Sequence, residues 1–428
     1  MRTNYACMKD YINIIGKELS DISPNEIPIS LLDSDGKIIS LEEQRSLITH
    51  HVQLLNVGFG IEHPYFDKAE DVLTLWASIL NQPKSKVCEF IKKEMEVCPF
   101  YTNQVPEFTF IDLFAGIGGF HIPLQERGGR CVFASEFNPH AQSVYNKNYG
   151  LFPFGDITKI STDDIPNHDI LAAGFPCQPF SISGKMKGFE DTRGTLIYNV
   201  FTIIEAKRPK VVLLENVKHL VHHDNGNTLR TILEGLDNLG YTHHPYRILN
   251  AKDFGVAQNR ERIIIVATQN KDFDFSKLQK SKKVIIRDIM DSANTQFEYL
   301  NEPYTIIDNI KEQESGLIFV GYRNKKIRKA GVREGTENLS RVHKQPNRIY
   351  SIDGVHPALP SQESSGRFWV YNGTTVRKLT LNECYRLMGF PDNFIRATSV
   401  SEQYKQAGNA VCVPMIDEIV KQIKEQLL

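Results

Sequence analysis

A cysteine between two prolines, a carboxylate closing an apolar run and two arginines spaced by one residue are the side chains here best suited to chemistry. The cysteine is Cys177, in Gly174-Phe-Pro-Cys-Gln-Pro-Phe-Ser181. Prolines on both sides restrict the backbone and would set the thiol on a stiff turn. Such a thiol is a nucleophile when its surroundings lower its pKa, although taken alone a structural cysteine is the commoner meaning. Glu215 finishes the run KVVLLEN, where partial desolvation raises a carboxyl's pKa and lets it act as an acid; a satisfied buried acid fits that segment equally well. Arg260 and Arg262, in Gln258-Asn-Arg-Glu-Arg262, share one face of an extended segment. They could pair with Glu215, a phosphate or a carbonyl oxygen, or form an ordinary surface ion pair.

Three further segments suggest a ligand. Asp112-Leu-Phe-Ala-Gly-Ile-Gly-Gly-Phe120 follows an apolar strand, and Gly116, Gly118 and Gly119 would allow close backbone approach at a strand-to-helix turn. Glu136 lies 24 residues beyond Asp112, at the end of the next strand, where a carboxylate can accept ribose hydroxyls. Asp156, in GDIT, is expected to end a further strand and could accept from an adenine amino group. Three acids at strand ends favour an adenosine-containing ligand. Near the C-terminus, Gly408-Asn409 in QAGNAV reads as a tight turn opening the last helix, its free amides helping to close the site. The Gly-, Ser- and Lys-rich SISGKMKGFEDTRGT after Cys177 has the composition of a loop that closes over a substrate.

The elements needed to position these residues are visible in the patterning. FTFIDLF, CVFASE, DILAAG, KVVLLEN and RIIIVAT are short apolar runs, and HAQSVYNKNY, TLIYNVFTIIEAK and NTLRTILEGLDNLG between them are helix-like. Fully apolar strands alternating with helices predict a doubly wound, mostly parallel α/β sheet covered on both faces. Residues 1–105 are expected to form a helical N-terminal extension, with Ser40 and Glu43 as a capping box, AEDVLTLWASIL and SKVCEFIKKEM as amphipathic helices and CPFYTNQVPE as a linker. Residues 106–268 would be the catalytic and cofactor-binding domain. Residues 269–375, polar and too long for a loop, would be a separate small domain, and 376–428 would return to the sheet.

Bulk properties narrow the function. The chain has 428 residues, 41% hydrophobic and 24% charged, an ordinary globular composition without an apolar run long enough for a membrane span. Seven scattered cysteines without a CxxC pair argue against a disulfide framework or a zinc site, and with the N-terminal sequence they suggest a cytoplasmic protein with no metal. The net charge of −1 is unevenly spread. Residues 1–100 carry 10 basic against 15 acidic side chains, whereas 321–348 carry nine basic residues against Glu334 and Glu337. The second segment has the concentrated charge that phosphate contact requires, though a solvated face would look the same.

DLFAGIGGF, GFPCQPFS, ENV, QNRER, RKLTLNECYRLMGFP and QAGNAV together resemble, in order and spacing, the bacterial cytosine-5 DNA methyltransferases of restriction–modification systems. The likeness covers about half the chain, residues 108–268 and 377–428. It implies an S-adenosylmethionine-dependent methyltransferase fold, with 269–375 as a target recognition domain. It places Phe114, Ala115, Gly116, Ile117, Gly118, Gly119, Glu136, Phe137, Asp156, Ile157, Pro176, Asn409 and Ala410 at the S-adenosyl-L-methionine site, the product being S-adenosyl-L-homocysteine. Cys177 would attack cytosine C6, Glu215 would hold and protonate N3, Arg262 would bind the base and Arg260 would orient Glu215. A cytosine inside a duplex is out of reach, so it must be flipped out. Candidate DNA contacts are Ser181, Ser183, Lys185 and Arg193 in the closing loop, and Arg323, Lys325, Lys326, Arg328, Arg341 and Arg348 in the recognition segment. Double-stranded DNA, a partner restriction endonuclease, a monomeric state and a nucleoid-associated location follow as expectations. Relatives usually carry Thr-Leu in the recognition domain where this sequence has Ala358-Leu359.

Other readings remain at this point. A tRNA cytosine-5 methyltransferase or a catalytically silent DNA-binding regulator could be built on the same motifs; the long basic segment favours duplex DNA, and intact Cys177, Glu215 and Arg262 oppose silence. An amino-methyltransferase would need a Pro-Pro-aromatic tetrad that is absent. The N-terminal extension could be a scaffold, a dimerisation element or a helix-turn-helix-like regulator, of which a scaffold is the simplest.

Overall fold

The computed structural model describes residues 8–23, 27–33, 35–58, 63–176, 196–292, 296–325, 335–336, 338–361 and 368–428. The chain begins with four helices, α1 (Met8–Leu19), α2 (Leu41–Asn56), α3 (Pro64–Ile79) and α4 (Lys84–Glu96). Ser40 accepts from the Glu43 amide at 3.1 Å, so the Ser40 half of the expected capping box starts α2. The extension packs on the α/β domain through α2. Gln53 donates to the carbonyl of Cys131 at 2.8 Å and Thr49 accepts from the amide of Phe152 at 3.0 Å.

The α/β domain runs β1 (Phe108–Leu113), α5 (His121–Glu126), β2 (Gly129–Ser135), α6 (Pro139–Tyr149), β3 (Ile170–Gly174), α7 (Leu196–Lys207), β4 (Val211–Val217), α8 (Asn227–Asn238), β5 (Tyr246–Asn250), β6 (Gln258–Asn259) and β7 (Glu261–Ala267). Six of these strands form a sheet in the order β2-β1-β3-β4-β7-β5. β1 to β4 are parallel, and β7 runs antiparallel to both β4 and β5. Every residue of β1 and β2 is buried, as their mainly apolar sequence demands, Asp112 and Arg130 included.

A second, five-stranded sheet has the order β13-β12-β10-β9-β8. Its strands are β8 (Tyr304–Ile306), β9 (Phe319–Arg323), β10 (Arg348–Ser351), β12 (Trp369–Tyr371) and β13 (Val376–Lys378), with β11 (His356–Pro357) pairing instead with β6. Small apolar clusters around Ile349 and Trp369, and around Phe319 and Tyr350, stabilise it. Residues 269–292 do not belong to this sheet: Phe273, Phe275 and Ile286 are buried in the main core.

The chain then returns as α9 (Leu381–Arg386), α10 (Val400–Asn409) and α11 (Val413–Leu427). Arg377 of β13 and Glu383 of α9 form an ion pair buried at both ends, at 2.7 Å, which joins the second sheet to the returning helices. α11 lies along α5, with Arg127 on Asp417 at 2.6 Å and Lys424 on Glu107 at 2.7 Å. Among the described residues, no helix is long and apolar enough to cross a membrane.

Two local expectations are corrected. Gly408 and Asn409 are the last residues of α10 rather than a turn opening the final helix. Pro360 and Ser361 pack where a Cβ at 408 would stand, so this helical position admits only glycine. Asp156 does not end a strand: it caps a single 3₁₀ turn, Ile157–Lys159, beside an isolated bridge between Ser135 and Phe154.

Candidate active site

The carboxyl ends of β1, β2, β3 and β4 open into a cavity of about 670 Å³, where ligands of such sheets bind. The turn after β1 forms one wall. Phe114, Gly116 and Gly118 have φ of +57°, +56° and +86°, so the backbone doubles back twice within five residues. Only glycine adopts such angles without strain, and Phe114 does so at a cost of about 1–2 kcal/mol. Glu136 ties the turn to β2: one carboxylate oxygen accepts from the Gly116 amide at 2.7 Å and the other from Asn138 at 2.7 Å. Phe137 stands beside it, 78% exposed, a largely open aromatic face.

The residues expected at a cofactor meet here. Phe114, Ala115, Gly116, Ile117, Gly119, Glu136, Phe137, Asp156, Ile157, Pro176, Asn409 and Ala410 all line the cavity. Gly118 does not: it faces the ring of Tyr149, which occupies the space a side chain would need. Sequence reading missed Leu196, at the start of α7, and Glu402 and Lys405, one turn apart on α10. The heptad-like spacing of Glu402, Lys405 and Asn409 could have revealed them once α10 was recognised as a helix.

Glu215 opens onto the same cavity, 8% exposed. Burial raises its pKa and outweighs the opposing pull of the nearby arginines. Its ion-pair partner is Arg262, Nε to Oε1 at 3.0 Å. The expectation that Arg260 orients Glu215 is therefore corrected. The Arg260 guanidinium donates to the carbonyls of Leu359, Gly408 and Ala410 at 3.1, 2.8 and 2.9 Å, bracing the cavity wall, and burial lowers its pKa to about 9. Asn216 donates to the carbonyl of Phe175 at 2.9 Å, tying the end of β4 to the segment that leads into Cys177. Cys177, Ser181, Ser183, Lys185, Arg193, Lys326 and Arg328 lie outside the described residues.

Of the remaining DNA candidates, Arg323 and Lys325 both pair with Glu302, at 2.6 and 2.9 Å, so a phosphate would compete with that carboxylate for them. Arg348 donates to the carbonyl of His343 at 3.1 Å, and Arg341 is exposed.

Beneath the glycine turn, Asp112 is fully buried and neither carboxylate oxygen has a hydrogen-bond partner among the described residues. Burial, reinforced by Glu136, pushes its pKa well above the ordinary 3.8. The folded chain thus holds this acid protonated, whereas the unfolded chain ionises it above about pH 4. Its contribution to stability should be fullest in acid and decline as pH rises toward the raised value. Asp112→Asn should remove this decline, raising Tm over the native chain by more at pH 8 than at pH 5 in calorimetric melts. An equal gap at both pH values would contradict a neutral Asp112.

Comparison with known proteins decides what this geometry belongs to. Residues 108–425 match the family model of the C-5 cytosine-specific DNA methylases. The chain belongs to that family. The methylase is 40% identical over 330 residues to the Type II methyltransferase M.HhaI of Haemophilus parahaemolyticus, spanning 76% of this chain and 97% of that one. It is 42% identical over 361 residues to M.HpaII of Haemophilus parainfluenzae, spanning 82% and 97%. The fold is also that of the S. pombe Dnmt2 methyltransferase crystal structure, with a TM-score of 0.54 at 19% identity over 75% of this chain and 99% of that one. This protein is a DNA (cytosine-5-)-methyltransferase, and its first 107 residues lie outside the family match.

Proposed function

We propose that the enzyme methylates C5 of one cytosine in a short duplex DNA site, with S-adenosylmethionine as donor, and protects host DNA from a partner restriction endonuclease. The observation that carries the reading is the convergence, on one cavity, of the glycine turn with Glu136 and Phe137 and of the buried Glu215–Arg262 pair. The first group fits the donor. Each Glu136 oxygen already accepts one backbone amide and keeps a lone pair for a ribose hydroxyl, and Phe137 offers an open face to adenine. When bound, S-adenosylmethionine supplies an electrophilic methyl group. The chain's own side chains must make C5 nucleophilic.

Cytosine C5 belongs to an aromatic ring and is a weak nucleophile. The Cys177 thiolate adds to C6 while Glu215 donates to N3, so the C5–C6 double bond's electrons become available at C5 for the methyl group. A base then removes the C5 proton, the electron pair re-forms the double bond, and the thiolate leaves. Arg262 holds Glu215 in place and is close enough to bind the base. None of this is possible in a stacked duplex, so the cytosine is flipped out. The second sheet, with Arg341 and Arg348, serves as the recognition surface and the enzyme works as a monomer. The Type II relatives support the restriction–modification setting.

Bisulfite sequencing of DNA from cells expressing the native chain or Cys177→Ala tests the reading. We expect one short motif methylated at C5 with the native chain and none with the variant. Unmodified DNA from soluble native protein that binds S-adenosylhomocysteine would reject DNA as the substrate, and methylation by the variant would reject Cys177 as the nucleophile.

A further inference from the structure

The back of the glycine turn, facing away from the cavity, is built from side chains that the proposed chemistry does not use. Tyr149, at the end of α6, is buried, and its hydroxyl lies 3.1 Å from the Ile117 carbonyl and 3.0 Å from the Gly118 carbonyl. The Ile122 amide also reaches the Gly118 carbonyl, at 3.3 Å. A trans peptide points its C=O and N–H in opposite directions. Holding the Gly118 carbonyl against Tyr149 therefore turns the N–H of Gly119 the other way, and Gly119 lines the cavity.

Tyr149 is itself held. The His121 ring stacks on it at 4.0 Å and 25°. His121 Nδ1 is 2.6 Å from the Tyr145 hydroxyl, and Nε2 is 3.1 Å from Gln125 Oε1. Gln125 donates its Nε2 to the Phe100 carbonyl at 2.6 Å, which leaves its Oε1 to accept. His121 thus carries its proton on Nε2 and accepts from Tyr145 at Nδ1. Burial keeps the imidazole neutral, lowering its pKa to about 3. Phe100 lies in the linker after α4, so a continuous strut joins the N-terminal extension to the glycine turn.

We propose that Tyr149 is a positioning residue for S-adenosylmethionine, fixing the peptide between Gly118 and Gly119 so that the Gly119 N–H meets the donor already oriented, with Gln125 and His121 carrying the brace back to Phe100. The proposal rests on the assignment of the cavity to S-adenosylmethionine. Nothing in it requires Tyr149 to touch the donor; the residue acts through the backbone it holds.

Tyr149→Phe deletes the hydroxyl and keeps the ring. Titration calorimetry should show S-adenosylhomocysteine binding about 5- to 10-fold more weakly, the effect of one lost hydrogen bond. The KM for S-adenosylmethionine should rise by a similar factor with kcat nearly unchanged. Tyr241→Phe is the control, because Tyr241 donates to the Pro209 carbonyl at 2.6 Å and is absent from the cavity wall. It should cost thermal stability without altering affinity. Gln125→Leu cuts the strut at its far end and should weaken binding less, in the same direction; it decides the matter should Tyr149→Phe not fold. Unchanged affinity in Tyr149→Phe, or in Gln125→Leu if that variant alone folds, would overturn the proposal while native binding left the cavity assignment standing. A native chain that does not bind S-adenosylhomocysteine would overturn both.

Discussion

Exchanging Glu215 for glutamine should lower the maximal rate of methyl transfer by roughly 10²- to 10⁴-fold, the range that a positioned general acid contributes. Glutamine keeps the shape and can still hydrogen-bond, but it has no proton to give to N3. Arg262, at 3.0 Å from the carboxylate in the native chain, would then face a neutral amide. The pH profile offers a sharper reading than the rate. Burial holds the Glu215 pKa above its ordinary value. The protonated form therefore persists to higher pH, and kcat should fall as pH climbs through that raised value. In Glu215→Gln this alkaline limb should vanish. Persistence of the alkaline limb in the variant would remove Glu215 from the acid role.

Deleting residues 1–100 should yield insoluble protein or none. α2 covers the outermost strand, β2, and its Gln53 satisfies the buried carbonyl of Cys131. Arg130, fully buried next to it, donates to Gln53 at 3.4 Å and to the carbonyls of Thr102, at 2.7 Å, and Gln104. Met95 packs against Gly150, and Phe100 receives Gln125. Truncation would leave an edge strand and a buried guanidinium without cover, and stripping partners from buried polar groups costs about 1–3 kcal/mol for each. Gln53→Leu alone should lower Tm measurably. A soluble, active truncation would refute the scaffold reading of the extension.

What the sequence revealed follows from how each part is buried. β1 to β4 and β7 are buried along most of their length, so apolar residues dominate them and the strands are legible, with Asp112, Arg130 and Glu215 as buried exceptions. β5 sits at the sheet edge, with Tyr246, Arg247 and Ile248 exposed, and its short run carries little signal. The second sheet rests on clusters of four or five residues, too few to impose a pattern on polar sequence. α10 was hidden because Gly408-Asn409 has the local chemistry of a turn, whereas glycine stands there because Pro360 packs against the helix where a side chain would be. The two arginines could not be told apart by spacing alone. β7 pairs Ile264 with Glu215 and Arg262 with Val217, which sets Arg262 diagonally across from the acid. Arg260 falls before β7 begins, where the chain turns toward carbonyls supplied by residues 99 and 148 positions away.

The ion pair between Glu107 and Lys424 means that the two ends of the catalytic unit stand side by side. Linear order along the gene is then incidental to the site. A short bridge from the end of α11 to the start of β1, with the N-terminal extension supplied as a separate chain so that α2 still covers β2, would let the catalytic unit be opened elsewhere, at an exposed connection that supports no strand. Such a permuted enzyme would read its motifs in rotated order, with the glycine turn no longer first, and would still assemble the same cavity. A gene in which QAGNAV precedes DLFAGIGGF is therefore expected to encode the same cavity, because adjacency in space, and not succession in translation, joins these segments.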